Sequence, residues 1–254
     1  MHLIPLPALA DNYIWLLHDD EGQALVVDPG VADVVEQALT ARGLQLRAIM
    51  LTHHHHDHIG GVAALLARHD VPVHAPMDER IPFGTRQLRD GERIEQALPS
   101  LDLQVIHVPG HTLSHIAYVG AGILFCGDTL FSLGCGRLFE GTPAQMIASL
   151  DRLAALPGDT LVCCGHEYTE ANGRFAQGIE PANADLQRRR RQVEQRRAQG
   201  EPSLPVTLAS ERATNPFLRT DSAAVRHWCT TQGTADDRTA CFAALRRAKD
   251  NFRG

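Results

Sequence analysis

Along the first two thirds of the chain, short apolar runs alternate with polar stretches, at residues 13–18, 24–28, 48–52, 71–75, 103–109, 116–119, 123–126 and 161–164. They are rich in Val, Ile and Leu and closed by Gly, Pro or Asp, which predicts β-strands. Helical periodicity lies between some of them, over 31–42, 62–69 and 143–156, the last with Pro143 in its first turn and Gly158 just past its end. Past Tyr168 the strand pattern fades and helix formers dominate 182–199, 221–232 and 236–252. The pattern predicts an α/β, sheet-based domain over residues 1–168 and a small α-helical domain over 169–254.

With 254 residues, 44% hydrophobic and 21% charged, the chain is long and apolar enough for a packed core. The net charge of -6 disfavours a polyanion, so no nucleic-acid partner is expected. The opening MHLIPLPALADNYIW lacks a cationic start and reaches Asp11 before any long apolar run, so it does not read as a secretory signal. No run approaches the roughly 20 apolar residues of a membrane span. A cytoplasmic monomer away from membranes is therefore expected. Six cysteines in such a chain read as reduced, buried thiols rather than a disulfide framework, with at least one of Cys163 and Cys164 pointing into the core. The basic run from Arg188 to Arg191, with Arg196 and Arg197 beyond it, wraps most of a helix and reads as a solvated face.

Candidate chemistry begins directly after the run at 48–52, in Thr52-His53-His54-His55-His56-Asp57-His58-Ile59-Gly60-Gly61. His53 and His55 are two apart, so in extended backbone their imidazoles share one side while His54 and His56 take the other. Asp57 and His58 follow where Gly60 and Gly61 let the chain turn. A solvated polyhistidine loop that collects metal unspecifically is the bland alternative for this stretch alone. Three further strand ends weigh against it. His111 follows Pro109-Gly110, Asp128 follows Cys126-Gly127, and His166 follows Cys164-Gly165, each just after an apolar run. Imidazole and carboxylate donors suit Zn, Fe or Mn.

The H-x-H-x-D-H pattern, with Pro109-Gly110-His111-Thr112, Gly127-Asp128-Thr129-Leu130-Phe131 and Cys164-Gly165-His166-Glu167-Tyr168-Thr169, resembles the metallo-β-lactamase superfamily. Within it the whole chain, including the ending Leu245-Arg246-Arg247-Ala248-Lys249-Asp250, resembles the glyoxalase II (hydroxyacylglutathione hydrolase) family. The resemblance implies an αββα sandwich with a small C-terminal helical domain. It implies one divalent ion on His53, His55 and His111, a second on Asp57, His58 and His166, and Asp128 bridging them. Asp57 and Asp128 would then serve catalysis by a hydroxide held between the ions, cleaving S-D-lactoylglutathione to D-lactate and glutathione, the second step of methylglyoxal detoxification. A thiolate whose conjugate acid has a pKa of about 8.5 departs with little help, so a thioester fits the inventory. By the same resemblance Arg246 and Lys249 bind the glycine end of glutathione, with Arg137 and Tyr168 completing the pocket. Phe139 stands where relatives often have Tyr, and Arg137 where they often have Lys. Asp128 in place of a Cys ligand disfavours an antibiotic-hydrolysing enzyme. His115 is expected to orient a neighbour rather than bind metal, and His54 and His56 either to do the same or to be partly exposed. His2, His18, His69, His74, His107 and His227 read as ordinary. The competing readings are an iron-dependent persulfide dioxygenase of the same superfamily working through one metal, a non-catalytic metal-binding protein, and a nuclease.

Overall fold

The computed structural model describes residues 1–84, 86–96, 99–234 and 237–253. In chain order it begins with β1 (His2–Ala8), β2 (Asn12–His18), β3 (Gln23–Val27), α1 (Ala32–Arg42) and β4 (Gln45–Met50). The short helices α2 (His56–Ile59) and α3 (Val62–Leu66) follow, then β5 (Val73–Pro76) and β6 (Arg86–Leu88). These strands form one sheet in sequence order, antiparallel from β1 to β3 and parallel from β3 to β6. Parallel neighbours need a crossover, which α1 supplies between β3 and β4.

The chain continues through β7 (Arg93–Gln96), β8 (Leu101–His107), β9 (Ile116–Gly120), β10 (Ile123–Gly127), a ribbon of β11 (Leu130–Phe131) and β12 (Gly134–Cys135), α4 (Pro143–Ala154) and β13 (Leu161–Cys164). After them come α5 (Thr169–Ile179), α6 (Ala184–Ala198), β14 (Val206–Thr207), α7 (Leu208–Thr214), a 3-10 turn at Pro216–Leu218, α8 (Ala223–Thr231) and α9 (Arg238–Asp250). The second sheet has the order β14-β13-β10-β9-β8-β7. Its β7 to β10 part is an antiparallel meander.

Two compact units emerge. The first comprises Met1–His107, Ser114–Gly127 and Cys163–His166; the second comprises Val108–Leu113, Asp128–Val162 and Glu167–Gly254. In the first unit, Ile14, Leu16, Val26, Ile49 and Leu51 pack with Val35 and Leu39 of α1 and Val62 and Leu65 of α3. The alternate residues Trp15, Leu17, Leu25, Val27 and Met50 are equally buried. Strands covered on both faces explain why the central runs are continuously apolar. Trp15 Nε1 donates to the Cys164 carbonyl oxygen at 2.9 Å, and the Tyr118 hydroxyl donates to that of Leu51 at 2.7 Å, so both of these buried donors are satisfied where the sheets face each other.

In the second unit, α4 begins with a reciprocal capping box between Thr142 and Gln145 and Pro143 in its first turn. Asn183 caps α6 and Asp237 caps α9. The expected helix over 236–252 is α9, and its first residue, Asp236, lies outside the described residues.

Two expectations are corrected here. Cys229 and Cys241 form a disulfide between α8 and α9, where their Cα atoms stand 5.4 Å apart, inside the span a disulfide bridges. The separation of twelve residues gave no hint, because only the packing of α8 on α9 brings the two together. Cys126, Cys135, Cys163 and Cys164 are free and buried, as expected. The basic run is also not wholly solvated. Arg188, Arg191 and Arg196 are exposed, but Arg189 is only 8% exposed and donates to the Ser203 carbonyl oxygen at 2.9 Å.

Candidate metal centre

The histidine loop is fixed from beneath by Asp28, at the end of β3. Because β3 and β4 are parallel neighbours, Asp28 lies beside the residues leaving β4, and its Oδ1 accepts from the Thr52 backbone N–H at 2.8 Å. The Thr52 hydroxyl donates to Asp28 Oδ2 at 2.7 Å, which leaves the hydroxyl oxygen to accept from His53 Nδ1 at 3.0 Å. Asp28 Oδ2 also lies 3.0 Å from His58 Nδ1. One buried carboxylate therefore orients two imidazoles, and tethering Nδ1 of each leaves Nε2 as the outward donor.

His53 and His55 project together as their spacing predicts, with ring centroids 4.7 Å apart. His55 is the extended residue before α2, and that single turn swings Asp57 and His58 around. The turn packs so tightly that a Cβ on Gly30 would lie 1.8 Å from the Asp57 carbonyl oxygen. His58 Nε2 lies 3.5 Å and His166 Nε2 3.4 Å from Asp57 Oδ2. Asp57, His58 and His166 thus offer three ligand atoms within 4.8 Å of one another. Two imidazole nitrogens and a carboxylate, with carboxylates behind the rings, form a donor set that fits a divalent transition metal.

His115 stacks on His53 with ring centroids 4.6 Å apart. His54 faces Asp78, Nδ1 to Oδ2 at 3.5 Å, and His56 is exposed, within what was expected of them.

The second unit carries the remaining expected ligands. His111 Nδ1 meets the Arg137 carbonyl oxygen at 2.8 Å, while its Nε2 lies 3.5 Å from Asp128 Oδ2. Both side chains are buried, and a Cβ on Gly136 would lie 1.9 Å from the Asp128 carbonyl oxygen. The ribbon following Asp128 is pinned by α7 and the residue after it. Glu211 accepts from the Ser132 hydroxyl at 2.7 Å and the Leu133 N–H at 2.8 Å, and Asn215 Nδ2 donates to the carbonyl oxygens of Phe131 and Gly134 at 3.1 and 2.9 Å. Burial raises the Glu211 carboxyl above the usual range against these donors.

The residues expected to hold substrate all lie in this second unit. Arg246 is 8% exposed, donates to the Cys135 carbonyl oxygen at 2.7 Å, pairs with Asp250 at 2.9 Å and lies 5.3 Å over the Phe217 ring. Arg137 Nε meets the same Asp250 carboxylate at 3.3 Å. Lys249 faces the rings of Phe175 and Phe252 at 5.9 and 5.5 Å, and desolvation lowers its pKa. Tyr168 packs against Phe131 at 5.1 Å, and Phe139, 61% exposed, stands edge-on to His111 at 5.2 Å.

The sequence reading missed Asp28, Asp11 and Asn12. Asp28 carried one usable signal, an acid closing a strand just before Pro29-Gly30. Asp11 and Asn12 are a polar pair between apolar runs, and nothing local distinguishes them from an ordinary turn.

Residues 10–166 match the family model of the metallo-β-lactamase superfamily, and residues 167–252 match that of the hydroxyacylglutathione hydrolase C-terminus. The chain is 54% identical to the hydroxyacylglutathione hydrolase of Xanthomonas euvesicatoria pv. vesicatoria, covering 100% of both chains. It is 54% identical to that of Cupriavidus metallidurans and 55% identical to that of Alkalilimnicola ehrlichii, covering 98% of each chain in both cases. Among solved structures, ETHE1 from Myxococcus xanthus is similar with a TM-score of 0.70, 25% identity and coverage of 100% of this chain and 92% of that one. A protein solved in a di-iron-bound form is similar with a TM-score of 0.60, 29% identity and coverage of 86% of this chain and 100% of that one. The fold is thus the metallo-β-lactamase fold followed by a helical C-terminal region, and the chain belongs to the hydroxyacylglutathione hydrolase family.

Proposed function

We propose that this protein hydrolyses S-D-lactoylglutathione and related 2-hydroxyacyl thioesters of glutathione, releasing the hydroxy acid and glutathione. The observation that carries the reading is identity above half along the full length, because it includes the C-terminal stretch bearing Arg246 and Lys249 as well as the metal donors. The dioxygenase alternative is not favoured, since the relatives at this identity are named hydrolases.

His53, His55 and His111 would hold one ion and Asp57, His58 and His166 the other, with Asp128 shared. Bound there, two divalent ions supply Lewis acidity and the activation of water near neutral pH. Zinc suits donors of this type, and iron is the second candidate, favoured by the likeness to the protein solved in a di-iron-bound form. The protein's own part is to keep the His58, His166 and His111 imidazoles turned by their tethers to Asp28, Asp11 and the Arg137 carbonyl oxygen, and that of His53 by the Thr52 hydroxyl. Arg246 and Lys249 supply fixed positive charge for the glycine carboxylate, Arg137 and Tyr168 flank it, and Phe139 offers an apolar wall without a hydroxyl. We place the enzyme in the cytoplasm as a monomer, which fractionation and size-exclusion chromatography test.

Incubating the purified protein with S-D-lactoylglutathione should release thiol in proportion to enzyme, and a chelator should abolish the release until metal is restored. Turnover that survives complete metal removal would sink the reading.

A further inference from the structure

Asp57 and His166 come from segments more than a hundred residues apart, yet both are gripped by two adjacent residues where the chain turns into β2. The turn joins β1 to β2, which pair as Ala8 with Asn12. Asp11 Oδ1 lies 2.8 Å from His166 Nδ1, and the next residue, Asn12, donates from Nδ2 to Asp57 Oδ2 at 2.9 Å. The backbone reinforces the contact to His166. Asn12 bridges to His166, and the Tyr13 N–H donates to the Gly165 carbonyl oxygen at 2.8 Å. Leu9 enters the turn at φ +51°, a conformation a bulky residue rarely adopts and one that the surroundings must impose.

We infer that Asp11 and Asn12 are positioning residues, a two-point clamp that presets Asp57 and His166 for one of the two ions and leaves the other ion's ligands untouched. The inference rests on the ligand assignment proposed above. Asp11 fixes which ring nitrogen of His166 is turned to Asp57, and Asn12 fixes the carboxylate's rotation by occupying the oxygen that also faces His58 and His166. Neither residue touches substrate in this account. Their effect is on metal affinity.

The test is to strip the wild-type protein and the Asp11→Ala, Asn12→Ala and Asp11→Asn variants of metal, then titrate zinc against a competing chromophoric chelator. Wild type should show two binding steps. In Asp11→Ala and Asn12→Ala one step should weaken by about 10–100-fold while the other keeps its wild-type affinity. Asp11→Asn, which keeps an acceptor oxygen on His166, should recover most of the loss. The Asp11 side chain is 40% exposed, so metal-free Asp11→Ala should melt with the wild type and separate this effect from folding. Two unchanged steps, or two steps weakened alike, would overturn the clamp. A wild type with no second step would overturn the two-ion assignment instead.

Discussion

Asp128 and Arg246 stand for two kinds of proposed site residue, and their removal should read out differently. Asp128→Ala takes away the one carboxylate assigned to both ions, so turnover should fall by at least about a hundredfold, and bound metal should drop below two per chain by elemental analysis. Arg246→Ala acts away from the reacting carbonyl, so KM should rise about tenfold or more with a smaller change in kcat. Its guanidinium also satisfies the buried Cys135 carbonyl oxygen, so the same variant should lose about 1–3 kcal/mol in denaturant unfolding. A collapse of kcat at unchanged KM would contradict the binding role. Cys135 itself is pushed by burial from an ordinary 9.0 to about 11. Its native pKa is the raised one, so its contribution to stability is intact below about pH 9 and fades as the pH rises toward 11. The melting temperature of wild type should fall over that interval more steeply than that of Cys135→Ala. The proposed metal donors could be picked from the sequence because His111, Asp128 and His166 each follow an apolar run and a Gly, and the other four share the His-rich turn after the run at 48–52. Asp11, Asn12 and Asp28 were not, because a tether is defined only by the partner it meets, 30 to 155 residues away.

Among elements, those with a strong periodic signature were legible and those that lean on neighbours were not. The runs at 24–28 and 161–164 became β3 and β13 because strands buried on both faces read as unbroken apolar sequence. Helix α5 escaped notice because its buried face mixes Thr169, Asn172 and Gly173 with Phe175, Ala176 and Ile179, so its apolar stripe is interrupted by small and polar residues. Strands β11 and β12 are two residues each and owe their place to Glu211 and Asn215 rather than to their own composition. Glu211 accepts three hydrogen bonds and is fully buried, so Glu211→Ala leaves the Leu133 N–H and the Asn215 amide without this acceptor. A loss of about 1–3 kcal/mol is expected, with weakened metal retention if the ribbon sets Asp128, both measurable by melting with and without metal. The disulfide between α8 and α9 closes a short loop, so reduction should cost about 2–4 kcal/mol without releasing metal. In a reducing cytoplasm that stabilisation would be absent, and Arg246 and Lys249 on α9 would rely on their contacts alone.

For the molecule as a whole, composition spoke to class and charge, and the motif spoke to chemistry. The boundaries of the compact units were beyond either, since they depend on where the chain crosses between units at residues 108–113 and 163–166. Metal should act as a ligand of the folded state. At a free concentration a thousandfold above its dissociation constant, one ion adds about 4 kcal/mol, so stripping it should lower the melting temperature in a concentration-dependent way. Two prolines keep β1 from reading as a strand, and they also shape its free edge. Pro5 and Pro7 sit two apart on an outermost strand, where neither can donate, while the other side of that strand is fully engaged with β2. A foreign strand sliding along this rim would meet carbonyls with few hydrogens to offer in return. The sheet is sealed at that margin against growth by addition, a safeguard against fibrous self-association written in two imino acids.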